Sequence, residues 1–279
     1  MGVLALLMTL WMTQHERALQ QREMRRNFDF GVRQAATRVE QRMASYEQML
    51  RGVRGLFDAS DSVSRQGFGR YVDLLQRGAN FAGLRSIGYA PLRSQGGHDS
   101  AQALYLAPAS GLQPSLRDAD LLASAALRGA MERARDAGGA VITPLLQPQA
   151  GDNSADLGVL LFMPIYGQGL PLASVAERHQ RLVGWVFASF RVADLVSSLY
   201  GEGTPGLDLR LHDGANIDAA SRMFPAGALA EPARPARLEA QEYLGVAGHT
   251  WTLWARSTPA FEQQQGQDAA QVIAVAGCG

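Results

Sequence analysis

Apolar and polar positions fall into three textures along this chain. From Thr13 to about Ala59 there is no proline, and Gln, Arg, Glu, Met and Ala, all strong helix formers, dominate. Apolar residues recur at Phe28, Val32, Ala35, Val39, Met43, Tyr46, Leu50, Val53 and Phe57, with steps of four and three and one extra four. That spacing predicts one long helix with a narrow heptad-like seam. A helix of about 45 residues spans roughly 65 Å, so the seam reads as a dimer stalk or as the spine of the fold, and the two uses are compatible.

The second texture is strand-like. Asp156 to Leu199 holds two apolar runs, G-V-L-L-F-M-P-I-Y from Gly158 and R-L-V-G-W-V-F-A-S-F from Arg181, joined by a polar connector, Gly167 to Gln180. Val, Ile, Phe and Trp enrichment predicts neighbouring buried strands, and the connector is expected to project as a mobile loop. Helical spacing follows at Val192, Leu195, Val196 and Leu199. Before this stretch the pattern predicts a short helix, Arg65 to Arg77, capped by Ser64. Strands are predicted at Gly83–Ala90 and Ala103–Ala107, then a helix from Leu121 to Ala137. In that helix Leu122, Ala126, Met131 and Ala134 point inward, Arg128, Glu132 and Arg135 outward, and Gly138-Gly139 closes it. Ala140 to Thr143 begins another strand. After Tyr200, strict alternation at Gly206–Asp213 and Ala247–Ala255 predicts half-exposed strands around a Pro- and Ala-rich loop, Pro225 to Pro235.

The third texture lies at the ends. Gly2 to Met12 is apolar and uncharged, yet shorter than the roughly 20 residues a spanning helix needs. It lacks a basic segment and a small-residue cleavage site, so it reads as the outer half of a transmembrane helix rather than a signal peptide. Ala269 to Ala276 repeats the pattern before Gly277. Two such ends predict an extracytoplasmic domain held between membrane spans; two ordinary terminal helices are the alternative.

Composition narrows the classes. Formal net charge is zero, which argues against a nucleic-acid partner. All 26 basic residues are Arg, and the single cysteine, Cys278, excludes an internal disulfide framework and a Cys-cluster metal site. Gly201 to Gly206 matches G-x-G-x-x-G but stands between helix and strand in the wrong order for a dinucleotide, so it reads as a turn. The histidines, His15, His98, His179, His212 and His249, show no ligand spacing. No G-x-S-x-G elbow occurs, and the carboxylate pairs Asp118/Asp120 and Asp152/Asp156 sit in polar segments. The chain is thus expected to be no enzyme and to need no cofactor or metal. What remains is an apolar wall: Leu160, Phe162 and Pro164 alternate onto one face, as do Trp185, Phe187 and Ser189, with Tyr89 and Tyr105 on earlier strands. Such a wall suits a small-molecule pocket, and from periodicity alone it suits an ordinary core better.

The order of motifs resembles the CHASE domain, the extracytoplasmic sensory module of bacterial and plant membrane receptors. The carrying pieces are F-x-x-Y-V at Phe68–Val72, G-L-R-S-I-G-Y-A-P at Gly83–Pro91 and R-A-R-D-A-G-G-A-V-I-T at Arg133–Thr143. G-V-L-L-F-M-P-I-Y at Gly158–Tyr166, G-W-V-F-A-S-F-R-V-A-D-L at Gly184–Leu195 and G-H-T-W-T-L-W at Gly248–Trp254 complete them. The resemblance implies an α/β (α+β) fold: a long stalk helix, then tandem PAS-like units, membrane-distal and membrane-proximal. On this chain that places a partial transmembrane helix at 1–12, the stalk at 13–60, the distal ligand-binding unit at 64–200, the proximal unit at 201–261 and a second membrane segment from 262 to 279. It implies an unknown small-molecule ligand contacted by Asp120 and the Phe162 and Phe187 positions, and the strand pattern adds Tyr89, Tyr105, Pro164, Trp185 and Ser189 to the expected contacts. Phe162 stands where cytokinin receptors carry a threonine, and Phe187 and Ala188 where they carry glycines, which narrows any cavity and argues against cytokinin. It further implies a homodimer through the stalk helix, a periplasmic location at the bacterial inner membrane, and a histidine kinase or diguanylate cyclase output outside this chain. A ligand-free dimerising spacer is the alternative.

Overall fold

The computed structural model describes residues 2–78, 81, 83–108, 116, 118–147, 158–167, 172–195, 206–223 and 235–264. The Ala269–Ala276 run, residues 201–205 of the glycine-rich turn, the Asp152/Asp156 pair, most of the Pro225–Pro235 loop, and Val196 and Leu199 lie outside the described residues.

Helix α1, Gly2–Asp58, is 57 residues long, about 85 Å at 1.5 Å per residue. Its outer face is polar and carries i,i+4 ion pairs, Arg25–Asp29 at 3.0 Å and Arg54–Asp58 at 3.2 Å. The seam turns the other way. Phe28, Val32, Ala35, Val39, Met43, Tyr46, Leu50 and Val53 are all buried in a single hydrophobic cluster. Phe28 meets Phe261 edge-on, Tyr46 packs on Phe190, and Phe57 packs on Tyr89, so successive turns of the helix touch successive parts of the same chain. Within one copy the seam is therefore the spine of the fold. Gly2–Met12 runs without a break into α1, and no helix among the described residues is long and apolar enough to cross a membrane.

Helix α2, Arg65–Gly78, buries Phe68 and Val72 and precedes the first sheet. Its strands are β1 (Leu84–Gln95), β2 (His98–Ala101), β3 (Tyr105–Ala107), β4 (Val141–Ile142), β5 (Gly158–Tyr166) and β6 (Leu182–Arg191). The order is β2-β1-β6-β5-β4, with β3 also on β1 and every pairing antiparallel. All nine residues of β5 are buried, because the sheet is covered on both faces. One face, with Ile87, Tyr89, Leu161, Met163, Val186 and Ala188, packs on α1. The other, with Ala90, Leu160, Phe162, Trp185 and Phe187, packs on helix α3, Ala125–Ala137. Covering both faces is what the continuous apolar runs require.

Two elements differ from expectation. The Leu121–Ala137 helix is split: a 3-10 turn spans Leu121–Ala123, Ser124 is extended, and α3 begins at Ala125. The break rotates the buried stripe to Leu127, Ala130, Met131 and Ala134. The β5–β6 connector is no free loop, because helix α4, Val175–Arg181, occupies half of it, started by a Ser174–Glu177 capping box.

The second sheet, order β7-β9-β8, is built from β7 (Leu207–Asp213), β8 (Glu239–Val246) and β9 (His249–Ser257). Leu209, Leu211, Trp251, Leu253 and Leu244 face the α1 cluster. β8 escaped prediction because Ala240 and Glu242, weak apolar signals, hold its inward positions before Leu244 and Val246.

Candidate functional site

The eight residues expected to bind ligand do not form one surface. Tyr89 and Tyr105 lie on the α1 side, 5.7 Å apart in an aromatic group with Phe57 and Phe68, and the Tyr105 hydroxyl donates to the Val63 carbonyl at 2.7 Å. Phe162, Trp185 and Phe187 lie on the opposite, α3 side. Register places Phe162 opposite Phe187, Pro164 opposite Trp185 and Leu160 opposite Ser189. Phe162 and Phe187 are fully buried with ring centroids 5.7 Å apart. The Phe187 ring lies over Gly88, where an added Cβ would meet its Cζ at 2.3 Å. That wall is solid core. Ser189 is likewise buried, and its hydroxyl bonds that of Ser86 at 2.9 Å.

Asp120 has a structural task. Its Oδ1 accepts from the Leu122 amide at 3.0 Å and the Ala101 amide at 2.8 Å, capping the 3-10 turn and tying it to β2. This oxygen is spent on backbone.

An open cleft of about 390 Å³ lies at the margin of the same α3 side, lined by Leu92, Asp99, Leu122, Arg128, Glu132, Arg135, His179, Leu182 and Trp185. Of the eight expected residues, Trp185 is the one that reaches it. The floor is apolar: Leu92 of β1, Leu182 and Trp185 of β6, and Leu122 of the turn. Trp185 Nε1 donates to the Met131 carbonyl at 3.0 Å, so its one polar atom is satisfied, and the buried ring closes the floor from beneath. Helix α3 supplies the wall, because burying Leu127, Ala130, Met131 and Ala134 turns Arg128, Glu132 and Arg135 outward.

The far end of the cleft is a fixed polar knot. Asp136 Oδ1 accepts from Arg135 Nε and pairs with His179 Nε2, both at 2.7 Å. The Arg135 hydrogen bond, joined by that of His179, holds the Asp136 carboxyl below its usual range. Arg178 donates to the Asp136 carbonyl at 2.8 Å and the Leu172 carbonyl at 2.7 Å, and the Tyr166 hydroxyl donates to the Arg135 carbonyl. The last carbonyls of α3 are thus covered by side chains from β5 and α4. Gly138, at φ 69°, ends the helix with its amide on the Ala134 carbonyl.

Burial pushes the Tyr166 phenol up to about 12 against the pull of Arg178 and Arg54. A tyrosine in the unfolded chain ionises near 10. Stability from this group is therefore intact below pH 10 and is lost as pH rises toward 12. Alkaline denaturation of Tyr166→Phe is expected to lack that limb, measured as stability against pH from 9 to 12.

Sequence reasoning missed the cleft because Arg128, Glu132 and Arg135 read as a solvated helix face and His179 as a loop residue. Two signals were present: charges of both signs on one stripe, and Ser174-Val-Ala-Glu177, a helix start that places His179 on a scaffold.

A long helix carrying two antiparallel sheets, the first with a cleft under its covering helix, makes an α+β module. A model of the CHASE domain family matches residues 61–224, more than half of the chain. The chain belongs to the CHASE domain family, and is a sensory input domain. Five of the six motif pieces fall within the match, and Gly248–Trp254 lies beyond it. No curated protein matches. Among solved structures, the extracellular ligand binding receptor from Desulfohalobium retbaense DSM5692 is similar in fold, with 13% identity and a TM-score of 0.53 over 82% of this chain. The match covers 39% of that receptor's chain, so this chain spans about two fifths of its length. The ligand-binding domain of the Pseudomonas aeruginosa PAO1 amino acid chemoreceptor PctC, in complex with GABA, aligns with 13% identity, a TM-score of 0.45, and coverage of 79% of this chain and 94% of that one.

Proposed function

We propose that this chain is the extracytoplasmic input domain of a membrane-bound receptor, and that a small molecule binds the cleft between α3 and the first sheet. The observation that carries the reading is the cleft itself: an apolar floor, a charged wall, and a volume of about 390 Å³, within the range of small-molecule sites. The apolar stretches Gly2–Met12 and Ala269–Ala276 support anchorage at the inner membrane with the sheets in the periplasm. The first sheet is then the membrane-distal unit and the second the proximal one. A histidine kinase or diguanylate cyclase beyond this chain would receive the signal.

Ligand binding changes the output only if it favours one arrangement of the domain over another. Helix α3 is suited to pass on such a bias, since it leads through Gly138-Gly139 straight into β4, and the Ile142 amide of β4 donates to the Ala247 carbonyl of the second unit at 3.0 Å. The solid packing of Phe162 and Phe187 favours a second reading, a ligand-free spacer.

A metabolite library screened by thermal shift separates the two. The sensor reading expects a compound that raises Tm in the parent and loses its effect in Leu122→Trp, whose indole fills the cleft. No stabilising compound in a broad library would leave the spacer.

A further inference from the structure

We infer that the cleft takes a dipolar small molecule, one carrying a carboxylate and an ammonium on an apolar skeleton. This rests on the cleft being the ligand site. Its arginines and carboxylates balance: Arg128 and Arg135 against Asp99 and Glu132. A net anion such as a phosphate ester would call for an excess of cations there, and a net cation for the reverse.

The balance is also uncommitted at one point. Arg135 is bonded to Asp136, and Asp99 accepts from Ser94. Arg128 and Glu132 have no hydrogen-bond or ion-pair partner among the described residues, although they stand at i and i+4 on α3. Arginine N-terminal to glutamate is the weaker order for such a pair, and here the pair is not made. One helical turn, about 6 Å, therefore separates a free guanidinium from a free carboxylate on the wall of this open cleft. A zwitterion meets both: its carboxylate at Arg128, its ammonium at Glu132, and its side chain on Leu92, Leu122 and Leu182. Two charge-assisted bonds over a shared apolar floor discriminate by requiring both ends.

The test uses the full chain and three probes of one shape: leucine, its deaminated acid 4-methylpentanoate, and its decarboxylated amine isopentylamine. Phenylalanine, phenylpropanoate and phenethylamine form a second set. Calorimetric titration is expected to give the zwitterion an affinity about tenfold or more above either single-charge relative, since each loses one charged hydrogen bond. Arg128→Gln should erase the preference over the amine, and Glu132→Gln the preference over the acid. Both sites are exposed, so the fold is retained. A neutral or singly charged compound that binds in a Leu122-dependent way, unaffected by either glutamine, would overturn the ligand class while leaving the sensor reading standing. Absence of Leu122-dependent binding by every compound would overturn both.

Discussion

Val39→Asp is expected to unfold this domain at ordinary temperature or lower its Tm by about 10 °C or more. Val39 is 3% exposed and sits mid-seam among Ala35, Ala36 and Met43, all buried. Losing the valine forfeits about 1.5–3 kcal/mol of apolar burial. An unpaired carboxylate in that place adds several kcal/mol more, even after its pKa rises to neutralise it. Domains hold only about 5–15 kcal/mol in all. The result also discriminates between the two uses of the seam. A dimer stalk damaged at Val39 would lose its partner, shift in sedimentation and melt in a concentration-dependent way. A spine damaged at Val39 loses its tertiary fold at every concentration, because both sheets pack on it. Glu40→Ala, one residue around on the exposed face, should change stability by no more than about 0.5 kcal/mol. A Val39→Asp protein with the parent's melting curve would refute the spine.

The seam was legible because steps of three and four are a property of the helix alone. What buries it is not: Phe28 meets Phe261 and Tyr46 meets Phe190 across hundreds of positions or more than a hundred, and no local pattern encodes that choice. The central strands were legible for a related reason. Runs buried on both faces need β-branched and aromatic residues throughout, and the pairing of Phe162 with Phe187 follows once β5 and β6 are neighbours. Tyr89 went astray through parity. Period-2 alternation tells which residues share a face within a strand, but the phase between strands is set by register, and Tyr89 pairs with Val186, not with Trp185 or Phe187. Asp120 directly precedes the predicted helix, yet its role depends on Ser124 breaking that helix, which makes its carboxylate a cap. The cleft was the least legible feature. An unpaired Arg128 and Glu132 look the same in sequence as a solvated pair, and only the opposing strands and α4 convert a polar helix face into a wall.

Asp213→Ala is expected to loosen the joint between the two sheets without touching the cleft. Asp213 closes β7 with both oxygens engaged: Oδ1 pairs with His249 Nε2 at 2.6 Å, and Oδ2 accepts from the Leu145 amide at 2.8 Å. Leu145 lies just past β4, and His249 opens β9. The β8–β9 turn is drawn onto the same strand, with Ala247 at φ 43° and Gly248 at φ 71° presenting the Ala247 carbonyl to the Ile142 amide. A side chain at Gly248 would press on Val141, at 3.4 Å from its Cγ2, so the turn is seated closely. Removing the carboxylate leaves the Leu145 amide without its acceptor and His249 without its partner, a loss of about 3 kcal/mol. Hydrogen exchange at Ile142 and Leu145 should quicken, while amides of β5 and β6 keep their protection. If α3 and β4 carry ligand binding onward, a cleft-binding compound should protect β9 amides in the parent but not in Asp213→Ala, at unchanged affinity. Undiminished protection of β9 in the variant would mean that the bias travels by another road, such as α1, which touches both sheets.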